Sequence, residues 1–309
     1  MSIVRKQATN RVIMVRPALF GYNAETATNN SFQKETGVPE AVAKSAKREF
    51  DAYVNLLRNN GVDVWVIQDT KKPHTPDSIF PNNWFSTHVT GELILYPMYA
   101  QNRQQERKLH ILATVGDLDG VSKIINLSGY EKEKCFLEGT GSMVLDRVNK
   151  IAYCCTSERT NQKVLDDFCT ELDYKGLVFT ATDAFDKPIY HTNVMMCVAT
   201  KYAVICLECI KDSTERDMVV ESLKQTNHKI IDISLEQVEH FAGNMLEVED
   251  ENGNSILVMS AEAKRSLNPQ QIAEIEAYSK IVAPELETIE KNGGGSARCM
   301  LAENFLPQE

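Results

Sequence analysis

Cys299 stands behind three glycines in "KNGGGSARCM" (291–300), the setting of a nucleophile held in a tight turn. Glycines let the backbone turn sharply and approach a ligand, and the neighbouring Arg298 favours the thiolate form of a cysteine. A glycine-rich turn that merely contains a cysteine is the competing reading. Three other stretches gather polar side chains at expected element ends, where rigid scaffolds present functional groups. "TPDSIFPNNWFSTH" (75–88) collects Asp77, Asn82 and Asn83 with Trp84 and Phe85 in a loop entering a strand. "FLEGTGSMVLD" (136–146) puts Glu138 before a Gly-Thr-Gly turn, and "PIYHTNVMMC" (188–197) puts His191 at the start of a buried strand. The other seven cysteines read differently. "CLEC" (Cys206, Cys209) has no second pair at zinc-ribbon spacing and lies in an apolar strand, as does the pair Cys154-Cys155. Cys135, Cys169 and Cys197 also have apolar surroundings, so all seven are expected to pack as inert thiols.

The elements that must hold these groups are short. Strand-like runs are expected at 11–17, 62–69, 93–98, 142–147, 151–158, 194–200, 202–209, 229–234, 244–250 and 255–260. Helical spacing is expected over 39–59, 103–115, 160–172, 213–226, 261–266 and 269–290. Asn252-Gly253 between two of the strands predicts a hairpin. Irregular alternation with recurring hairpins disfavours a purely parallel sheet and predicts a mixed α/β fold. No linker composition divides the chain, so residues 1–309 read as one domain.

The totals exclude several classes of function. A formal charge of −10 and no Lys/Arg run argue against nucleic acid as a partner. The N-terminus lacks the features of a signal peptide, and the most apolar stretch is broken by Lys201 and Tyr202, so no membrane span is expected. A cytoplasmic location with reduced cysteines follows as an expectation.

Taken in order, "VRPALFGYN", "PDSIFPNNWFSTH", "YPMYAQNR", "EGTGS", "HTN" and "GGGSARCM" resemble the guanidino-group-modifying enzymes: arginine deiminases, dimethylarginine hydrolases and amidinotransferases. More specifically they resemble the citrulline-utilisation hydrolases of that superfamily, from residue 15 to about 305. The resemblance implies a pentein fold, a five-bladed α/β propeller with pseudo-fivefold symmetry and the active site on its axis, although no internal repeat is visible in the sequence. It further implies that Cys299 is the nucleophile and His191 the general acid/base. Glu138 matches the acid beside that histidine, Asp77 the carboxylate that grips planar N–H groups, and Arg103 the binder of the substrate's α-carboxylate. Asp77 also reads as a turn aspartate beside Pro76, and Arg103 as a solvated arginine at a helix start. No metal or organic cofactor is implied; the partner is a small-molecule amino acid, with a homo-oligomer left open.

Three positions depart from the relatives. Asn82 and Asn83 stand where dimethylarginine hydrolases carry a Glu-Asp pair, and Asn193 where arginine deiminases carry an aspartate. A buried guanidinium needs compensating charge, whereas a neutral ureido group needs a donor for its carbonyl, which asparagine has and a carboxylate lacks. The amides therefore favour citrulline, cleaved to ornithine, ammonia and carbon dioxide through an S-carbamoyl enzyme, unless they brace the backbone. Arginine deimination, dimethylarginine hydrolysis and amidinotransfer are the alternative activities, and a silent pentein-fold binding protein the non-enzymatic one. Residues 18–33 read as a lid or a mobile surface loop. Asn244 could face the site or satisfy a strand start.

Overall fold

The computed structural model describes residues 5–308. Its strands form five three-stranded sheets of one design. In the first, β1 (Arg11–Arg16) crosses over through the helix Pro39–Asn59 and is followed by β2 (Asp63–Gln68), parallel to it. The second holds β3 (Phe85–Thr87), β4 (Glu92–Leu95) and β5 (Lys123–Asn126). The third holds β6 (Val144–Asp146), β7 (Ile151–Cys155) and β8 (Lys175–Phe179), and the fourth β9 (Met196–Val198), β10 (Tyr202–Ile205) and β11 (Lys229–Asp232). The fifth holds β12 (Leu246–Glu249), β13 (Ser255–Val258) and β14 (Lys280–Val282). Finally β15 (Ala302–Glu303) pairs with β1, Ala302 opposite Ile13, and closes the ring. In every sheet the central strand has one antiparallel neighbour and one parallel neighbour. The parallel return requires a crossover, which is where the helices lie. This is the five-bladed pentein arrangement.

Burial sets the order within a blade. The antiparallel strands β3, β6, β9 and β15 are buried along their whole length, and β12 for three of its four residues. The parallel strands carry the exposed positions, so they form the rim. The helix Pro39–Asn59 keeps the expected face at Ala46, Phe50, Tyr53, Val54 and Leu57, but its first buried residue is Val42 and not Ala43, which is half-buried; Pro39 opens the helix, and Gly61 follows its end with a positive φ.

Three expectations need correction. The helix expected over 103–115 is two, Gln101–Gln104 and Leu109–Gly116, because Glu106 and Lys108 turn inward to buried ion pairs with Arg103 and Asp69. The helix expected over 269–290 is Pro269–Glu276, then β14, then Glu287–Gly293; Pro284 after Val282-Ala283 favours extended backbone. The strand expected over 202–209 stops at Ile205, and Leu207–Cys209 form a 3₁₀ turn, so the Cys206–Cys209 pair is buried but not in a strand. Cys135 and Cys169 are partly exposed beside the core. The Asn252-Gly253 hairpin joins β12 to β13, with Val248 opposite Ile256. Among the described residues no helix is long and apolar enough to cross a membrane.

Candidate active site

Each buried antiparallel strand follows a tight turn, and the five turns meet around the axis. They are Pro81–Asn83, Gly139–Ser142, Thr192–Val194, residues 240–243 and Ala297–Met300. Residues more than 200 positions apart in sequence thereby converge. Cys299, His191, Asp77, Asn83 and Arg103 line one small cavity; Glu138 stands behind His191, and Asn82 and Asn193 lie beside it. The structure thus brings all eight residues singled out in the sequence to one place.

His191 Nε2 lies 2.8 Å from Glu138 Oε2, and both residues are buried. Glu138 Oε1 also accepts the Tyr99 N–H at 2.9 Å, which fixes the carboxylate. Burial disfavours its charge, but Arg159, His191 and Arg103 outweigh that and hold Glu138 well below the usual carboxylate range. Burial pushes His191 down to about 4 despite the opposing pull of Glu138, so the resting imidazole is neutral at neutral pH and able to take a proton.

The sulfur of Cys299 receives two amides, Asn244 Nδ2 at 3.2 Å and Asn193 Nδ2 at 3.6 Å. Arg298, expected to favour the thiolate, instead sends its guanidinium to Leu301 O and the Glu303 carboxylate, which Arg147 also binds. The glycines ahead of Cys299 line the cavity, and Gly293 and Gly295 pack against the Phe80 ring. Gly294 takes a left-handed φ of 62° to end the helix Glu287–Gly293, and its carbonyl accepts from Tyr190 Oη at 2.7 Å and Asn30 Nδ2 at 3.2 Å.

Arg103 departs from its expected role. Its fork is bidentate on Glu106 (2.8 and 3.1 Å), and donates to Phe80 O at 3.0 Å and to Asn83 Oδ1 at 2.7 Å. Four hydrogen bonds to three residues leave it little to offer a substrate carboxylate. The bond to Asn83 decides that residue's orientation, because an arginine only donates: Oδ1 must face Arg103, and Nδ2 faces away from it. Asn83 Nδ2 has no partner, and neither do Asp77 Oδ1, Asn82 Oδ1 and Asn193 Oδ1, although all are buried. Each such atom costs about 1–3 kcal/mol, so their clustering marks a place built for a polar ligand. Asp77 itself is pushed up by burial, against the pull of Arg103 and hydrogen bonds from Asn23 (2.7 Å) and Thr26 (3.0 Å).

Those two bonds come from the segment expected to be a lid or a mobile loop. Residues 18–33 cover the cavity: Asn23 and Thr26 bind Asp77, Asn30 binds Gly294, and Phe20 is buried. The covered cavity has about 20 Å³, room for about one water. A larger cavity of about 610 Å³ lies on the other side of residues 27–32 and shares Asn30, Arg159 and Tyr190 with it.

Arg159 was not singled out in the sequence. It is buried, holds Thr26 O at 2.9 Å and the Asn29 side chain, and lies 3.5 Å from Glu138. It sits alone in "TSERTNQ", with no periodicity or motif to mark it. Gly141 reads in the sequence only as part of a turn; a Cβ there would fall 2.4 Å from Asn83 Nδ2 and 2.8 Å from the His191 ring. Gly141→Ala is therefore expected to lower kcat/KM by about 100-fold or more and to lower Tm by a few degrees, since it overpacks a buried site and displaces two cavity side chains. Steady-state kinetics beside a thermal melt checks this. Among the described residues no three His, Cys, Asp or Glu side chains converge as metal ligands.

The family model described as "N,N dimethylarginine dimethylhydrolase, eukaryotic" matches residues 16–306. A comparison with curated protein sequences returned no match. Among solved structures, the N-terminal domain of ArgZ, an arginine dihydrolase from the ornithine–ammonia cycle in cyanobacteria, superposes with a TM-score of 0.74 at 15% identity, covering 95% of this chain and 97% of that one. Unliganded AgrE gives 0.74 at 18% identity, over 95% of this chain but 39% of its own. A cysteine-to-serine mutant of DDAH from Pseudomonas aeruginosa, complexed with citrulline, gives 0.69 at 16% identity, over 96% and 100%. At these identities the likeness establishes the fold.

Proposed function

Since the chain belongs to the N,N dimethylarginine dimethylhydrolase, eukaryotic, family, we propose that it is a cysteine hydrolase of a carbon–nitrogen bond in the planar end group of an arginine-like amino acid, with citrulline as preferred substrate. The observation that carries the choice of citrulline is the unpaired N–H of Asn83, pinned by Arg103. A ureido group has one carbonyl oxygen that needs a donor, and Asn83 Nδ2 supplies it. A guanidinium has only N–H groups there, so Asn83 would meet it donor to donor. Asp77 Oδ1, another unpaired atom of the site, suits the ureido N–H groups.

The steps follow from the resting charges. Neutral His191 takes the proton of the Cys299 thiol, and the thiolate attacks the ureido carbon. The bond from that carbon to the substrate's δ-nitrogen breaks, and His191, now an imidazolium steadied by Glu138, returns the proton to that nitrogen. Ornithine leaves and an S-carbamoyl thioester stays on Cys299. Water, deprotonated by His191, then releases carbamate, which decays to ammonia and carbon dioxide, and the sulfur departs as the restored thiol. Arg159, the buried cation bordering both cavities, is held by Thr26 and Asn29 of the covering segment, so a shift of that segment frees its donors and makes it the candidate for the α-carboxylate in place of Arg103. A cavity of about 20 Å³ cannot admit an amino acid, so residues 27–32 must shift for entry, which makes 18–33 a lid.

A guanidine substrate, free or methylated, is the second reading, favoured by the family's description and by two buried carboxylates, Asp77 and Glu138. Incubation with citrulline, arginine and dimethylarginine, quantifying ornithine and citrulline, separates the two. Ornithine from citrulline is the expected product; citrulline formed from either guanidine, with citrulline itself inert, would overturn the choice.

Proton transfer through His191 gives a pH signature. Activity requires the neutral imidazole, so kcat/KM should fall on the acid side with a midpoint near 4, well below the ordinary histidine value. Glu138 raises the proton affinity of His191, so Glu138→Gln should move that limb to still lower pH. It should also cut kcat about 10²–10⁴-fold by freeing the ring and removing the counter-charge. A pH–rate profile of both proteins checks the sign.

A further inference from the structure

Of the two amides on the sulfur of Cys299, Asn244 is fixed from both ends. Its Nδ2 donates to Cys299 Sγ at 3.2 Å and to Asn193 O at 3.0 Å, and its Oδ1 accepts the Arg298 N–H at 3.1 Å. A backbone N–H cannot accept, so turning the amide over would break that bond and set two donors face to face. Asn193 is held less firmly, with a longer approach of 3.6 Å and an unpaired Oδ1. The turn behind Asn244 is also constrained. Phe241 has φ 62°, a conformation rare for a bulky residue, and its carbonyl accepts the Asn244 N–H at 2.9 Å. The Phe241 ring packs on Phe32 of the covering segment, 5.2 Å between centroids.

We propose that Asn244 is a further catalytic residue, whose Nδ2–H stabilises the Cys299 thiolate through a charge-assisted hydrogen bond. No bond of Asn244 itself changes: the thiol proton passes to His191, and the existing N–H···S contact strengthens as the sulfur becomes anionic. When sulfur leaves the carbamoyl carbon, the same donor receives the returning charge. The proposal rests on Cys299 being the nucleophile and is independent of which substrate it attacks. Other charged and titratable groups surround the sulfur. His191, Asp77, Arg103 and Arg159 line the cavity, Tyr53 and Tyr190 lie buried nearby, and the Arg298 guanidinium is turned to Glu303. Among the described residues only the two asparagines place a hydrogen-bond donor on that sulfur.

The test is alkylation of the whole protein by iodoacetamide without substrate, following the Cys299 peptide by mass spectrometry across pH. Asn244→Ala removes the donor and should shift the midpoint of the rate profile upward by about one unit, slowing alkylation at neutral pH about tenfold. Asn244→Asp keeps the shape and the acceptor for the Arg298 N–H but sets an anionic oxygen against the sulfur, so its shift should be larger. This second variant reads the effect even if the alanine variant fails to fold. A midpoint unchanged in a folded variant, or faster alkylation at neutral pH, would overturn the proposal. Because no substrate is present, that failure would leave the citrulline reading intact. Conversely, an upward shift in a protein inert to citrulline would sustain Asn244 and remove the substrate assignment.

Discussion

Asn83→Asp is expected to reverse the substrate preference. Arg103 would still donate to one carboxylate oxygen at the position of Oδ1, so the side chain would stay in place. The other atom, beside Gly141 and the His191 ring, would change from a donor to an anionic acceptor. A ureido oxygen would then meet a carboxylate, losing its hydrogen bond and gaining repulsion, whereas a guanidinium would gain both a partner and a counter-charge. A site that binds a polar group by direct hydrogen bond discriminates strongly when that bond is lost, and kcat/KM for citrulline should fall about 10³-fold. Activity toward arginine or a methylarginine should rise in the same protein. The measurement is the ratio of kcat/KM values for the two substrates. An unchanged ratio would mean that Asn83 braces the backbone, the alternative reading of these amides.

Cys299→Ser carries the other large effect. A serine hydroxyl is a far weaker acid than a thiol, and a resting His191 pushed down to about 4 is too weak a base to ionise it. Turnover should fall on the order of 10⁴-fold or more, while the cavity keeps its shape. Citrulline binding, measured calorimetrically, should stay within about threefold of the parent. Residual turnover of a few per cent would show that the sulfur is not the attacking atom.

Different physical signals account for what was legible. The helix Pro39–Asn59 stood out because six apolar residues share one face over 21 residues. Central strands such as β1 and β10 stood out as continuous apolar runs, being buried on both faces. The rim strands β5, β8 and β14 did not, since half-exposed strands mix lysines with isolated apolar residues; nor did β3 and β15, which have only three and two residues. The pseudo-fivefold repeat lies in the path of the backbone, with crossover helices of different lengths, so no sequence period reveals it. At the site, Cys299, His191, Asp77 and Glu138 could be named through motifs at element ends. The occupation of Arg103 could not, because Glu106 is an acid in a stretch where apolar spacing suggested a continuous helix. Arg159 lacked any local signal, as its importance comes from Thr26, Asn29 and Glu138, all distant in sequence.

The most direct test of a covalent ureidase is an acid quench of the protein during turnover of citrulline, followed by mass analysis of the peptide containing Cys299. A carbamoyl group on that cysteine, absent in the Cys299→Ser protein, is the expected result. An unmodified Cys299 while ornithine is being released, or an adduct formed only from a guanidine, would contradict it.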